Sequence, residues 1–343
     1  MPPPDEQALR NGRTDMHSIG RRGLGGLALA AASLTAGRAG AQDYPRRQAI
    51  RMIVPQAAGS ATDVMARAVA QPLSEILGQQ VVVDNRAGAG GILGSELLAK
   101  AAPDGYVLGI VNISTHGVNP GLFRRLPYDA ARDFTPIGMT ATIGNVFIVH
   151  NAFPARTLEE AIAHIRANPG KVNFASAGQG SSQHLAAALF ARMAGGLRMV
   201  HIPFRGTGPG TTAVMAGEAD LMIPTISSGL PAIRSGRARA LAVTTEAPVP
   251  DLPGVPAMKD TVPGYVVTSW YGLAGPANLP APIVARVNAA MREALGRPET
   301  VRTLQAAGFA AQPGTPEELT RHIAAEIDRW KRVIDEAGIP REG

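Results

Sequence analysis

Ile50-Arg51-Met52-Ile53-Val54-Pro55-Gln56-Ala57-Ala58-Gly59-Ser60-Ala61-Thr62-Asp63-Val64 is the stretch from which the fold can be read. Residues 50–54 are almost wholly apolar and are closed by Pro55, the pattern of a buried strand. A loop of small residues follows. Ser60 is then a good helix N-cap, with Asp63 at the third position and Val64, Ala68 and Val69 lining one face. Pro72 is expected to kink this helix or to open a second short one. Working outward, residues 80–84 read as a second strand, 92–101 as a helix and 106–111 as a third strand. Strands alternating with helices over such short spans predict a largely parallel sheet with crossovers on its faces.

The same grammar returns beyond Thr140. Residues 146–150, 172–175, 199–203, 220–223 and 240–244 read as strands. Thr157 with Glu160 starts a helix that stops near Asn168-Pro169-Gly170, and further helices begin near Ser182, Gly210 and Ser228. A Pro/Gly-rich passage at 248–264 precedes a strand at 269–274 and helices from Ala281, Glu299 and Pro316. Thr315-Pro316-Glu317-Glu318 combines an N-cap hydroxyl, Pro at the first helical position and Glu at the third. Two repeats of one α/β unit imply two domains. The last helices either form a third lobe or return to the first domain.

The chain has 343 residues, 45% of them hydrophobic, with a net charge of +6 and no cysteine. No disulfide, thiolate metal site or cysteine nucleophile is therefore possible. Arg21-Arg22 precedes an uncharged Leu/Ala-rich run at 23–37 and then Ala39-Gly40-Ala41. This is the three-part plan of a secretory signal, with an apolar segment too short to span a bilayer. Residues 1–41 are read as a signal peptide cut after Ala41, with Met16 as a second possible start, and with the Sec or the twin-arginine route open. Its removal takes five basic and three acidic side chains, so the net charge falls from +6 to +4. The remaining charges are dispersed, without a basic block interleaved with aromatics, and no nucleic-acid partner is expected.

Enzymatic signals are weak. Gly88-Ala89-Gly90-Gly91-Ile92-Leu93-Gly94 follows a strand but departs from dinucleotide-loop spacing and lacks a well-placed acidic residue. Its glycines read as close backbone packing at a helix start, and no cofactor is expected. His116, His150, His164, His184, His201 and His322 show no metal-ligand spacing. Gly178-Gln179-Gly180-Ser181-Ser182 is not a Gly-x-Ser-x-Gly elbow, and Ser181 with His184 is better explained as a cap and a cleft donor than as a hydrolase pair. More informative are three strand ends that run into small polar loops directly before helices: Gly59-Ser60-Ala61-Thr62, Asn112-Ile113-Ser114-Thr115-His116, and residues 176–182. Orphan amides at a helix start, with hydroxyls beside them, suit an anion.

These residues carry a resemblance. The chain resembles the Bug family, the extracytoplasmic solute receptors of tripartite tricarboxylate transporters, over about residues 44–340. The matching segments include residues 50–55, Ala61-Thr62-Asp63, Gln80-Val81-Val82-Val83-Asp84-Asn85-Arg86-Ala87-Gly88, Ala101-Ala102-Pro103-Asp104-Gly105-Tyr106, Leu126-Pro127-Tyr128-Asp129, Asp133-Phe134-Thr135-Pro136, Ser176-Ala177-Gly178 with His184, and Arg239-Ala240-Leu241-Ala242-Val243-Thr244.

The resemblance implies a two-lobed periplasmic-binding-protein-like α/β fold. Each lobe would be a mostly parallel sheet flanked by helices, with the ligand cleft between them. Residues 44–146 plus 268–343 would form lobe one and 147–267 lobe two, with a hinge at two crossings. It implies a non-catalytic, monomeric periplasmic protein that binds a small organic carboxylate and hands it to a membrane permease, or signals to a membrane sensor. By matching motif the contacts would come from Gln56, Ala57, Ala58, Gly59, Ser60, Thr62, Asn112, Thr115 and His116 in lobe one. Lobe two would supply Ser176, Gly178, Gly180, Ser181, Ser182, His184, Phe204 and Arg205, and Thr225 is added from a turn where this chain departs from the family. Two departures stand out. The family's first loop usually reads Pro-Phe-Pro-Pro-Gly-Gly, where this chain has Pro55-Gln56-Ala57-Ala58-Gly59-Ser60. Relatives often carry Asp-Asn where this chain has Pro224-Thr225.

Overall fold

The computed structural model describes residues 44–336 and 338–342, so the signal reading of residues 1–41 lies outside the described residues. Strand β1 (Ile50–Val54) is central to the first sheet, and Ile50, Met52, Ile53 and Val54 are all fully buried. Its apolar run therefore belongs to a strand covered on both faces. Ser60 accepts a hydrogen bond from the Asp63 amide and starts α1 (Ala61–Leu77), which ends on Gly78 in the left-handed region at φ 67°. Residues 61–77 form one helix, so Pro72 does not open a second short one. Pro72 is buried, and α1 packs along β2 (Val81–Asn85) and a later helix, α8. That packing outweighs the roughly 3 kcal/mol cost of an interior proline.

Beyond β2 come α2 (Ile92–Ala99), β3 (Val107–Asn112), a π-helical turn at Ile113–Val118 and the short α3 (Asn119–Leu122). The glycine loop before α2 packs closely at its C-terminal end. A Cβ on Gly94 would lie 2.7 Å from Pro55 Cα and 2.8 Å from the Arg86 carbonyl oxygen. The glycines let the backbone close onto β1, as the packing reading expects.

β4 (Phe134–Gly144) is an eleven-residue strand absent from the sequence reading. It crosses to β5 (Val146–His150), which opens the second lobe. There follow α4 (Leu158–Ala167), β6 (Asn173–Ser176), α5 (Ser182–Met193), β7 (Val200–Pro203), α6 (Thr207–Ala216), β8 (Leu221–Met222), α7 (Ile226–Arg234) and β9 (Ala238–Val243). The chain then returns through β10 (Thr268–Pro276), α8 (Ala281–Gly296), α9 (Pro298–Ala306), β11 (Phe309–Ala311) and α10 (Pro316–Glu336). Thr315 and Glu318 exchange hydrogen bonds at the start of α10, the box read from the sequence. α8 and α10 pack on β4, so the last helices do not form a third lobe.

The strand orders are β11-β4-β10-β3-β1-β2 and β7-β6-β8-β5-β9. Both sheets are mixed. β1 runs parallel to β2 and β3, and β6 parallel to β7 and β8, as the βα grammar requires. Antiparallel pairing enters with β4, β5, β9, β10 and β11, a set that includes all four strands flanking the two crossings. The crossings meet at one residue. Thr244 donates its amide to the Asn145 carbonyl (2.9 Å), accepts the Asn145 amide on Oγ1 (2.8 Å) and accepts the Val267 amide on its carbonyl (3.0 Å). One apolar cluster extends through both lobes, from Ile53, Leu98 and Trp330 to Phe147, Phe174 and Phe190.

Candidate functional site

Because β1, β2 and β3 are parallel, their C-terminal ends and the helices that follow share one edge of the first sheet. Two expected loops lie there. Ala57, Ala58 and Gly59 are exposed, while Gln56 and Ser60 are half-buried. Gln56 Oε1 accepts Asn112 Nδ2 at 3.0 Å, which joins the first loop to the one at residues 112–116. Thr62 is buried and accepts Asn112 Nδ2 at 3.4 Å. The first loop is braced from behind by residues missing from the expected contacts. Asp63 accepts the Gly59 amide (2.9 Å), Asn85 Nδ2 (3.0 Å) and Arg67 Nε (3.0 Å), and Asn85 also donates to the Gln56 carbonyl (3.1 Å). Burial pushes the Asp63 pKa up, but the hydrogen bonds from Arg67, Gly59 and Asn85 outweigh it and hold the carboxyl below its usual value.

Asn112 caps the π-helical turn, its Oδ1 accepting the Ser114 and Thr115 amides, each at 3.1 Å. The turn directs side chains inward. Thr115 and His116 are fully buried, and Thr115 Oγ1 sits 2.9 Å from His116 Nδ1. The His116 ring packs against Phe134 at 4.4 Å and Tyr128 at 6.0 Å, and burial pushes its pKa down to about 3. The ring is enclosed by these aromatic neighbours, and its Nε2 is buried without a hydrogen-bond partner among the described residues. Gly91 fits between the two loops: a Cβ there would lie 2.7 Å from Thr115 Cγ2 and 3.1 Å from Gln56 Nε2.

In lobe two, β6, β7 and β8 are parallel, so α5, α6 and α7 all begin at one sheet edge. Ser181 caps α5 by accepting the His184 amide at 3.3 Å, and Ser182 is half-buried beside it. Ser176 is fully buried, its Oγ bonded within the loop to the Gly178 amide and carbonyl, both at 3.0 Å. His184 is only 7% exposed, and its Nδ1 accepts the Gly180 amide at 3.1 Å. Phe204 is half-buried, Arg205 exposed, and α6 starts at Gly206 without a side-chain cap. Thr225 is buried at the start of α7, with Oγ1 2.9 Å from Ser228 Oγ, and caps no amide. Within residues 56–62, 112–116, 176–182, 204–206 and 224–228, Arg205 is the one Asp, Glu, Lys or Arg.

The two edges abut. A Cβ on Gly180, at φ 69°, would lie 2.0 Å from Leu122 Cδ2 of lobe one. Arg192 of α5 forms an ion pair with Glu336 of α10. His201, Asn85, Leu122 and Asn145 were not legible as site residues, since each acts through a partner distant in sequence, and Asp63 read only as part of a helix start. Two surface cavities lie elsewhere. One of about 230 Å³ includes His150, His164, Lys171 and Asp220, and one of about 480 Å³ lies between α1 and α9. Among the described residues no three His, Cys, Asp or Glu gather as metal ligands.

Residues 65–339 match the tripartite tricarboxylate transporter family receptor. The chain belongs to this family. A relative from Pseudomonas sp. (strain P51), the UPF0065 protein in the tcbD-tcbE intergenic region, is 38% identical over 325 residues, 94% of this chain and 96% of its own. A solved structure described as a periplasmic transporter is 35% identical with a TM-score of 0.80, covering 87% of this chain and 100% of its own. R. palustris Rpa4515 with adipate is 33% identical with a TM-score of 0.80, covering 87% and 99%. The family receptor is a non-catalytic periplasmic solute-binding protein, and the two-lobed fold described above is its architecture.

Proposed function

We propose that this receptor binds a small organic dicarboxylate between the loops at residues 56–62 and 112–116 and those at 176–182, 204–206 and 224–228, and delivers it to a membrane permease. One observation carries the reading. The starts of α1, α5, α6 and α7 converge on two abutting sheet edges, and the carboxylate next to the first loop, Asp63 of α1, is consumed in bracing it. A convergence of orphan amides without a facing carboxylate favours an anion. Arg205, which makes no ion pair among the described residues, supplies a guanidinium for a second carboxylate. That Rpa4515 was solved with adipate agrees with this class.

The mature protein acts as an exported monomer, freed of residues 1–41, and its lobes rotate about the crossings at Asn145 and Thr244. A thermal-shift screen of ligand-stripped protein against mono-, di- and tricarboxylates should find at least one stabiliser, since ligand bound to the native state raises apparent stability. Denaturing mass analysis of untreated protein removes the confusion of a retained ligand. No response across the panel overturns the reading. The ligand is also expected to lack an ammonium group, because Pro224 and Thr225 offer no carboxylate beside α7. Titration should show succinate binding more tightly than aspartate, and the reverse order would defeat this part of the proposal.

A further inference from the structure

His201 belongs to no motif and no expected contact, yet it lies against the lobe-two ligand loop. It sits on β7, in register with Phe174 of β6, and its ring lies nearly parallel to two others, which are themselves 6.1 Å apart. Phe174 lies 4.9 Å away at 17°, and His184 of α5 lies 4.0 Å away at 6°. His201 Nε2 is 2.6 Å from Ser176 Oγ. A serine hydroxyl has one proton to donate and two lone pairs. Ser176 donates to the Gly178 carbonyl and accepts the Gly178 amide, so all its contacts are satisfied when His201 donates from Nε2–H. His184 does the complementary task, its Nδ1 accepting the Gly180 amide. One imidazole therefore fixes the start of the loop and the other fixes its end.

We infer that His201 and His184 form a stacked, neutral imidazole pair that sets the conformation of residues 176–182, with His201 as a positioning residue for ligand binding. The inference rests on the reading that this loop holds the ligand. Two features oppose protonation. Protonating His184 would place a proton on Nδ1, where the Gly180 amide now donates. Parallel rings 4.0 Å apart also cannot both be cations without strong repulsion. Burial first, and the facing ring second, push the His184 pKa down to about 4, and burial lowers that of His201. Phe174 and Ser176 of β6 bring no charge, α6 has no titratable residue, and Arg192 lies at the far end of α5.

The mature full-length protein is compared with His201→Ala and His201→Gln by residue-resolved amide hydrogen exchange at pH 7. Exchange at Gly178 and Gly180 is expected to rise at least tenfold in the alanine variant, while α4 and β5 stay protected. The glutamine variant, whose amide can still donate to Ser176, should restore protection to within threefold. Wild-type exchange in the alanine variant overturns the inference, as does loss of protection throughout lobe two. Adipate and the best acid of the screen are then titrated. A tenfold loss of affinity in His201→Ala, rescued in His201→Gln, is expected. Raised exchange with unchanged affinity would refute His201 as a positioning residue for binding and leave only a local brace. If no acid binds even the wild type, the carboxylate reading has failed, and the exchange result still decides the bracing.

Discussion

The two lobes present similar loops but hold them by different chemistry. In lobe one the brace is an ionised carboxylate, Asp63, with amides from Asn85 and Asn112 around it. In lobe two it is a pair of neutral imidazoles stacked on Phe174. The first brace needs its acid charged, and the second needs its bases uncharged. Both conditions hold together only above the range where histidine takes up a proton. A cleft assembled from these two half-sites, as proposed, would thus have an acid limit set by one half.

Lowering the pH is the most forceful way to break this comparison. A histidine whose folded pKa lies below its unfolded value of about 6.5 binds its proton more weakly when folded. Its stabilisation is full above pH 6.5 and is lost as pH falls toward the folded value, about 4 for His184 and about 3 for His116. By linkage His184 alone accounts for on the order of 3 kcal/mol between pH 7 and 4. Urea unfolding of wild type and His184→Gln at pH 7, 5.5 and 4 should show a shallower acid loss in the variant. Parallel curves would mean that His184 does not carry this dependence.

Next in size is the seam between the lobes. Gly180→Ala adds a methyl group where Leu122 already sits, in a backbone conformation that also disfavours alanine. Affinity for the best acid is expected to fall about a hundredfold, roughly 2.7 kcal/mol. Leu122→Ala on that background should recover part of it. No recovery would assign the effect to the backbone alone.

Asp63→Asn sharpens the contrast. It leaves the shape of the first loop's brace but removes the charge that Arg67 and the Gly59 amide address, and about a tenfold loss of affinity is expected. In this variant the loss should be the same at pH 7 and pH 5.5, since the wild-type carboxyl is ionised at both. Arg205→Met is the mildest change, weakening dicarboxylates about five- to tenfold and monocarboxylates little. Equal loss for both classes would remove Arg205 from the second carboxylate.

Much of this architecture could be read from local residue patterns. The first βα unit, the Ser60 and Thr157 caps, the box at Thr315 and Glu318, and the alternation of strands and helices all lie within a few residues of their causes. β4 was hidden because Pro136, Gly138 and Gly144 look like turn chemistry, although the strand is held between β10 and β11 by partners more than a hundred residues away. Pro72 opens no second helix, since tertiary packing outweighed a local penalty. At the site, loops could be located from their hydroxyls and glycines, but side-chain direction could not. The π-helical turn sends His116 into the core, and the stack that involves His201 exists only because β7 is laid beside β6 in one register.

The junction at Thr244 has a consequence for the number of ways the lobes can move. Two separate strands between two bodies would allow sliding and twisting as well as bending. Here both strands are hydrogen-bonded to a single threonine, at Asn145 and Val267, within one peptide of each other. Sliding one strand past the other breaks those bonds, whereas rotation about the junction preserves them. A lobe rotation of the kind proposed would thereby be confined to nearly one degree of freedom. Any protein that touches the outside of both lobes then reads an angle rather than a distribution of shapes.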